Sequence, residues 1–289
     1  MRHAFFTFIN IFFFSSLFSQ YDIRIDLKGC KDTTLYLIVH FWESNSIVDS
    51  CKKVKDGKIR FSGKKSLDKG LYILVNQSKN TSIFEFLVGD NQKFALNANV
   101  DDIKRSIKAT GSKENELYFE YDKFFADKDA EFQGYTKECK GKTKEDSTKF
   151  IHEKITQLQA DLKKFEPGYK QKIKGTLVEE LFSLKSEQQT TDLPKAKNGR
   201  PDSVYAYYWY KDHFWDGVNL KSDFAIHTPY LDDKVKRYLD QATVQFPDTA
   251  IKEIGYIMRK CKEGSMTYQM LLGHFTYKYE TNKTMVFDR

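Results

Sequence analysis

Residues 21–27 read YDIRIDL, and this stretch decides the fold class of the N-terminal part of the chain. Apolar and charged side chains alternate along it, which is typical of a strand with one buried face. The pair Asp56-Gly57 accepts positive φ and predicts a tight hairpin between two later runs. Short runs of this kind, separated by turns, predict an antiparallel β-sandwich over residues 20–111. The later runs lie at 33–42, 47–55, 58–62, 70–76, 82–88 and 92–97.

The hydrophobic period changes to that of a helix after Gly111. Ser112 is placed to cap a first helix. Apolar residues then recur three or four positions apart from 151 to 165, and Pro167-Gly168 is expected to end this second helix. Residues 186–202 are polar and predict a loop, after which Ser203 is placed to cap an aromatic helix. We therefore expect an α+β fold class, in which the sandwich is followed by an all-α helical domain over residues 112–289.

The N-terminus has the layout of a secretory signal peptide over residues 1–19. Arg2 begins it, an apolar run extends from Ala4 to Phe18, and Ser19 supplies a small residue at the cleavage site. The run is shorter than the roughly 20 residues that cross a bilayer as a helix, so we expect cleavage rather than anchoring. No later apolar stretch reaches the length that spans a membrane. The mature protein is therefore expected in the periplasm or cell envelope, without a membrane span.

Charge and cysteine content exclude two further classes of function. The formal net charge is +7, but Lys and Glu are interspersed along most segments, which predicts a solvated surface and no nucleic-acid partner. None of the four cysteines forms a C-x-x-C pair, so no thioredoxin-type redox site is written in this chain. Export permits a disulfide between Cys30 and Cys51, and four separate packed thiols are the alternative.

Three segments approach known site motifs without completing them. His152-Glu153 begins a zinc-protease motif, but Thr156 stands where the second His is needed. Residues 127–138 resemble a calcium loop, but Phe132 occupies the position that requires Gly. Residues 134–143 end like a phosphate-binding loop with the wrong glycine spacing. We therefore predict no metal, no cofactor and no catalytic residue.

An aromatic cluster over residues 205–215 is the strongest candidate for a binding surface. Aromatic residues cover nearly every face of this predicted helix, so it is either wedged between the two domains or presents some rings to a partner. A polar trio of Asp212, His213 and Asp216 either forms a small site or fixes a neighbouring loop. The residues predicted to form the candidate partner surface are Tyr208, Trp209, His213, Trp215 and Asp216.

Several segments also resemble known exported domains. VDS at 48–50, DGKIRFSG at 56–63 and GSKEN at 111–115 resemble a small β domain of unknown function that often precedes a thioredoxin-like domain in bacterial proteins of the TlpA/ResA thiol–disulfide type. YKDHFWD at 210–216, with TPY at 228–230 and FPD at 246–248, is similar to the helical domain of unknown function that commonly lies between them. The resemblance implies a thioredoxin domain downstream, whereas this chain stops at Arg289.

These observations predict an exported, non-catalytic accessory or recognition module of the cell envelope, related to thioredoxin-associated domains. Its expected role is to hold an envelope protein partner or to position a substrate. One alternative is a module that binds a small ligand, such as a glycan or a lipid, on the sandwich face. Another is that the chain is the N-terminal part of a thiol–disulfide oxidoreductase whose catalytic domain lies beyond this sequence.

Overall fold

The computed structural model of the protein describes residues 19–188, 190 and 192–281. The predicted signal peptide lies outside the described residues, apart from its last residue, Ser19. Within the part that is described, two four-stranded sheets precede a set of helices, so the fold is α+β with a helical C-terminal domain. No helix in these ranges combines the length and apolar character that crossing a membrane requires.

The sandwich consists of one sheet with the strand order β4-β1-β7-β8 and a second with the order β3-β2-β5-β6. The alternation in β1 has the predicted effect, because Tyr21, Ile23, Ile25 and Leu27 are all buried between the sheets. The strands are β1 (Tyr21–Lys28), β2 (Leu35–Phe41), β3 (Ser44–Cys51), β4 (Lys58–Gly63), β5 (Gly70–Asn76), β6 (Thr81–Val88), β7 (Lys93–Asn99) and β8 (Lys108–Thr110).

Two features of the sandwich differ from the sequence prediction. The sheets are rich in antiparallel pairs, but β1 and β7 pair in parallel. The turn at Asp56-Gly57 has the predicted positive φ, yet it does not form a hairpin between β3 and β4, since these strands lie in different sheets. A Cβ on Gly57 would stand 2.1 Å from the carbonyl oxygen of Leu27, so this tight turn is packed against β1 where the chain crosses between sheets.

Eight helices lie in the described ranges, and their ends follow local capping chemistry. Ser112 caps α2 as predicted, whereas Asp202, and not Ser203, caps α5 by accepting hydrogen bonds from two backbone N–H groups. The helices are α1 (Ile103–Ser106), α2 (Lys113–Glu138), α3 (Lys144–Ile173), α4 (Leu177–Lys185), α5 (Ser203–His213), α6 (Tyr230–Asp240), α7 (Pro247–Lys260) and α8 (Met266–Glu280).

The prediction that Pro167-Gly168 ends a helix is wrong, because α3 continues to Ile173. A proline inside a helix removes one backbone hydrogen bond and disturbs the carbonyl of the preceding turn. Pro167 lies on the exposed side, where water can satisfy that carbonyl. Continuing the helix buries Tyr169 and Ile173, and the Tyr169 hydroxyl donates a 2.7 Å hydrogen bond to the carbonyl of Leu117 in α2.

The two domains meet where the turn after β2 enters the helical core. Trp42, at this turn, is buried among helical residues. Its backbone N–H donates a 2.9 Å hydrogen bond to the backbone carbonyl of Ile226. Ile226 lies in a 3₁₀ turn over residues 225–227. A Cβ on Gly70 would stand 2.6 Å from the Cβ of His227, so a glycine at the start of β5 allows this turn to pack closely on the sheet.

Candidate functional site

The predicted aromatic surface is only partly present on α5. Tyr208 and Asp216 are exposed, as that prediction requires. The rings of Trp209 and His213 are half-buried and stacked 4.2 Å apart, and His213 Nδ1 donates to the Trp209 carbonyl. Trp215 is not part of a surface, because its side chain is buried in the helical core beside Tyr238. Its inclusion in the candidate surface was therefore wrong.

The polar group that does assemble around α5 has a different composition. Lys211 Nζ lies 2.9 Å from Glu253 Oε1, and the Tyr238 hydroxyl donates to the other oxygen of that carboxylate. Burial raises the pKa of Glu253, but the hydrogen bonds from Tyr238 and Lys211 outweigh it, and the net pKa is lowered. Because each partner of this buried charge comes from a different helix, the group fastens α5 and α6 to α7.

A cleft at the domain junction gathers charged and aromatic side chains more openly. Its volume is about 920 Å³, and it lies between β6, the segment 100–107 and one face of α2, with Lys185 and Tyr230 at the helical-domain side. Open cavities of this size that combine apolar walls with a few polar groups are the usual form of a binding site. We therefore take this cleft as the candidate site.

Local sequence explains how α2 forms one wall. Ser112 caps the helix against the edge of β6, where the Asn115 side chain hydrogen-bonds the backbone of Leu87. Beyond this contact, Tyr118, Asp122 and Phe125 follow each other at helical spacing and all line the cleft. The helix thus presents a carboxyl group between two aromatic rings.

The electrostatics of the cleft centre on Asp122. Burial raises the pKa of its carboxyl group, Lys104 and Lys185 act in the opposite direction, and Glu85 raises the pKa further. Among the residues that the structure describes, no group forms a hydrogen bond or a close ion pair with this carboxylate. Asp122 is therefore a half-buried acid that is available to a ligand.

Glu85 and Tyr230 lie in the same cleft and interact electrostatically with Asp122. Burial, followed by the charges of Glu85 and Asp122, raises the pKa of the Tyr230 hydroxyl to about 12. Lys185 Nζ lies 5.1 Å from the centre of the Tyr230 ring, a cation–π distance. His40 Nε2 lies 4.0 Å from Glu85 Oε1, so this histidine of β2 supports the cleft from the sheet.

Sequence reasoning missed this site, although one signal was present. That signal is the helical spacing of Tyr118, Asp122 and Phe125, which places a carboxyl group between two aromatic residues. The other polar residues of the cleft come from distant parts of the chain, so no local motif marks them. They are Glu85, Lys104, Lys185 and Tyr230.

The cysteines and acidic groups do not add a metal or redox centre to the described ranges. All four cysteines are free thiols, which is the separate-thiol alternative rather than a Cys30–Cys51 disulfide. In the described residues, no group of three or more His, Cys, Asp or Glu side chains is arranged to hold a metal ion.

The fold and the cleft define a two-domain α+β protein whose candidate site lies at the domain junction. Residues 138–289 match a family described as a domain of unknown function (DUF5106), and because the match covers more than half of the chain, the protein belongs to that family. Residues 21–118 match a second domain of unknown function (DUF4369), which ends within α2. No curated protein and no solved structure matches the chain.

Proposed function

We propose that this protein is an exported, non-catalytic recognition module of the bacterial cell envelope, and that it holds a segment of a partner protein in the cleft. The observation that carries the proposal is the half-buried, unpaired carboxylate of Asp122 inside a cavity of about 920 Å³. A buried charge without a partner is costly, so a ligand that supplies a cation or a hydrogen-bond donor gains affinity there.

The compartment follows from the N-terminal sequence. The basic start, the short apolar run and Ser19 favour export. The resemblance to domains that accompany thioredoxin-like domains in exported proteins supports the same compartment. A partner encountered there is a protein of the envelope, and the two domain matches are compatible with an accessory role.

A site-specific photo-crosslinker tests the proposal directly. We would replace Phe125, which lines the cleft, with p-benzoylphenylalanine in the full chain and irradiate intact bacteria. The control position is Tyr277, which is 70% exposed on α8. We expect a crosslinked partner in the envelope fraction from position 125 and none from position 277. Asp122→Asn should reduce the adduct by more than half.

Three results would contradict the proposal. Equal crosslinking at both positions would show unspecific contact, and a chain that remains in the cytoplasm would remove the envelope role. Crosslinking from position 208 and none from position 125 would show that the partner binds the aromatic helix α5 and not the cleft.

A small-ligand module is the second candidate, and the size of the cleft favours it. A volume of about 920 Å³ lies within the range of pockets that bind small molecules, and Phe125 and Tyr230 offer aromatic surface. Glycan arrays and lipid-coated beads test this function. If the chain binds a glycan or a lipid and Asp122→Asn abolishes that binding, small-ligand binding is favoured over partner recognition.

A further inference from the structure

We propose that the partner segment binds as an extended strand that pairs with the edge of β6 at Glu85. This inference rests on the proposed function and specifies the form of the ligand. It follows from the direction in which the backbone groups of β6 point, from the way Asn115 blocks part of the same edge, and from the charges beside the open part.

Among the described residues, β6 is the last strand of its sheet and pairs on one side, with β5. Leu87 N–H donates to Asn115 Oδ1 at 2.7 Å, and Asn115 Nδ2 donates to the Leu87 carbonyl at 2.8 Å. Both backbone groups of Leu87 therefore point away from β5. Because the hydrogen-bonding direction alternates along an antiparallel strand, the N–H and carbonyl of Glu85 point the same way.

The outward backbone groups of Glu85 differ from those of Leu87, which are hydrogen-bonded to Asn115. None of the described residues outside the sheet donates to the Glu85 carbonyl or accepts from the Glu85 N–H. An unpaired strand edge is a ready template for another strand, and extended peptides use such edges in β-augmentation. Glu85 also lines the cleft, so this edge of β6 borders the space that a ligand occupies.

Asn115 defines where an added strand can begin. This residue is fully buried, and its Nδ2 also lies 2.9 Å from Ser112 Oγ, which fixes the orientation of the amide. The amide takes the place of a neighbouring strand at Leu87. An incoming segment therefore pairs at Glu85, and the β-bulge at Ile83 ends the regular alternation two residues before it.

The charges beside the open edge indicate the chemistry of the segment. Arg105 pairs with Asp102 there, and the remaining charged side chains of the cleft are three acidic and two cationic ones, namely Glu85, Asp122, Asp129, Lys104 and Lys185. One negative charge is therefore in excess, and Asp122 has no ion-pair partner among the described residues. Side chains of a strand alternate between two faces, so a segment with Lys or Arg at alternate positions can reach these carboxylates while its apolar residues meet Tyr118 and Phe125. The proposed occupant is therefore a segment of a partner protein in which cationic and apolar side chains alternate.

A second copy of this chain is a poorer occupant of the cleft. Strands of one sheet lie about 4.8 Å apart, so a single extended segment needs little width. The edge strand of a second copy belongs to a folded sandwich. The neighbouring strand and the second sheet of that copy would also have to fit beside β6. Because α2 forms one wall of the cleft, the rest of a second sandwich would have to fit beside this helix.

The test uses a library of capped octapeptides, with Val, Ile or Phe at odd positions and Lys or Arg at even positions. Selected peptides are measured against the full chain and two variants. Glu85→Pro removes the outward N–H, and proline is tolerated on a strand edge where that N–H is unpaired. Glu85→Gln keeps the N–H and removes only the charge.

We expect Glu85→Pro to weaken binding at least tenfold and Glu85→Gln to weaken it only severalfold. N-methylation should abolish binding at the peptide residue whose N–H faces the Glu85 carbonyl and be tolerated at the residues on either side of it. Bound peptide should slow hydrogen exchange of the Glu85 amide at least tenfold.

Several results would overturn strand addition. They are unchanged binding to a folded Glu85→Pro variant, N-methylation that is tolerated at every position, no peptide that protects the Glu85 amide, and a dimer of the chain that the peptide dissociates. If any of these occurs while the crosslink at position 125 persists, the recognition function stands and only its strand form fails. If the crosslink is also lost, the proposed function itself fails.

Discussion

The indole ring of Trp42 lies edge-on to the imidazole of His274, with the ring centroids 5.0 Å apart. Trp42 sits in the turn between β2 and β3 with a φ of 54°, a left-handed conformation that costs about 1–3 kcal/mol for a residue other than glycine. Burying a ring of this size in the helical core outweighs that strain. One side chain of the sandwich is thus a structural part of the other domain.

Trp42→Ala should destabilise the protein by about 3–5 kcal/mol, the usual cost of removing a large buried aromatic side chain. Urea unfolding followed by circular dichroism measures the loss. Trp42→Phe is the control, since it keeps an aromatic ring in the cavity and should cost clearly less. A Trp42→Ala variant with the stability of the wild type would show that this ring does not join the domains.

Asn115→Ala should cost about 2–4 kcal/mol, because it leaves both backbone groups of Leu87 without their buried partner. The same unfolding measurement applies. Gln133→Ala, at an exposed position of the same helix, is the control and should change stability little. If the two substitutions were equivalent, the contact between α2 and β6 would contribute nothing to folding.

Local signals predicted the elements well, and long-range relations explain the failures. Alternation placed the buried face of β1, and Ser112 marked the start of α2, because each depends on neighbouring residues only. The parallel pairing of β1 with β7 joins distant segments, and alternation carries no strand direction. Trp215 shows the same limit, since aromatic content alone does not tell a packed ring from an exposed one.

The candidate site was harder to predict than the fold for a related reason. Asp122 is one acid among many in a charged helix, and only the approach of β6 and Tyr230 makes it a half-buried group. The pKa shift of its carboxyl group is a property of the assembled cleft. The sequence shows the helical spacing of Tyr118, Asp122 and Phe125. It does not show that β6 and Tyr230 line the cleft with them.

Cys261 should be the slowest of the four thiols to react with iodoacetamide at pH 8. Burial raises the pKa of its thiol to about 11, so little reactive thiolate forms, and the Sγ lies 3.6 Å from the Ile257 carbonyl, to which it donates. Mass spectrometry of peptides after timed labelling measures each site. The unfolded chain in guanidinium is the control, where all four should react at similar rates.

Lys234 is a buried lysine whose nearest contacts are neutral groups. Its Nζ donates a 2.9 Å hydrogen bond to the Ser186 carbonyl and lies 4.8 Å from the centre of the Phe214 ring. Burial, aided by the charge of Arg237, lowers the pKa of this ammonium group from its ordinary 10.5 to about 8. The folded protein therefore disfavours the charged form that the unfolded chain carries.

Lys234→Met should remove a pH dependence that the wild type shows. Between pH 8 and about 10.5 the unfolded chain keeps the proton that the folded protein has released, so the free energy of unfolding rises with pH in this window. Below pH 8 both states are protonated, and this contribution is constant. Unfolding free energies of the two proteins, subtracted at each pH, cancel the shared tyrosine titrations. The wild type should gain stability relative to Lys234→Met as pH rises from 8 to 10, and a flat difference would show that Lys234 titrates normally in the fold.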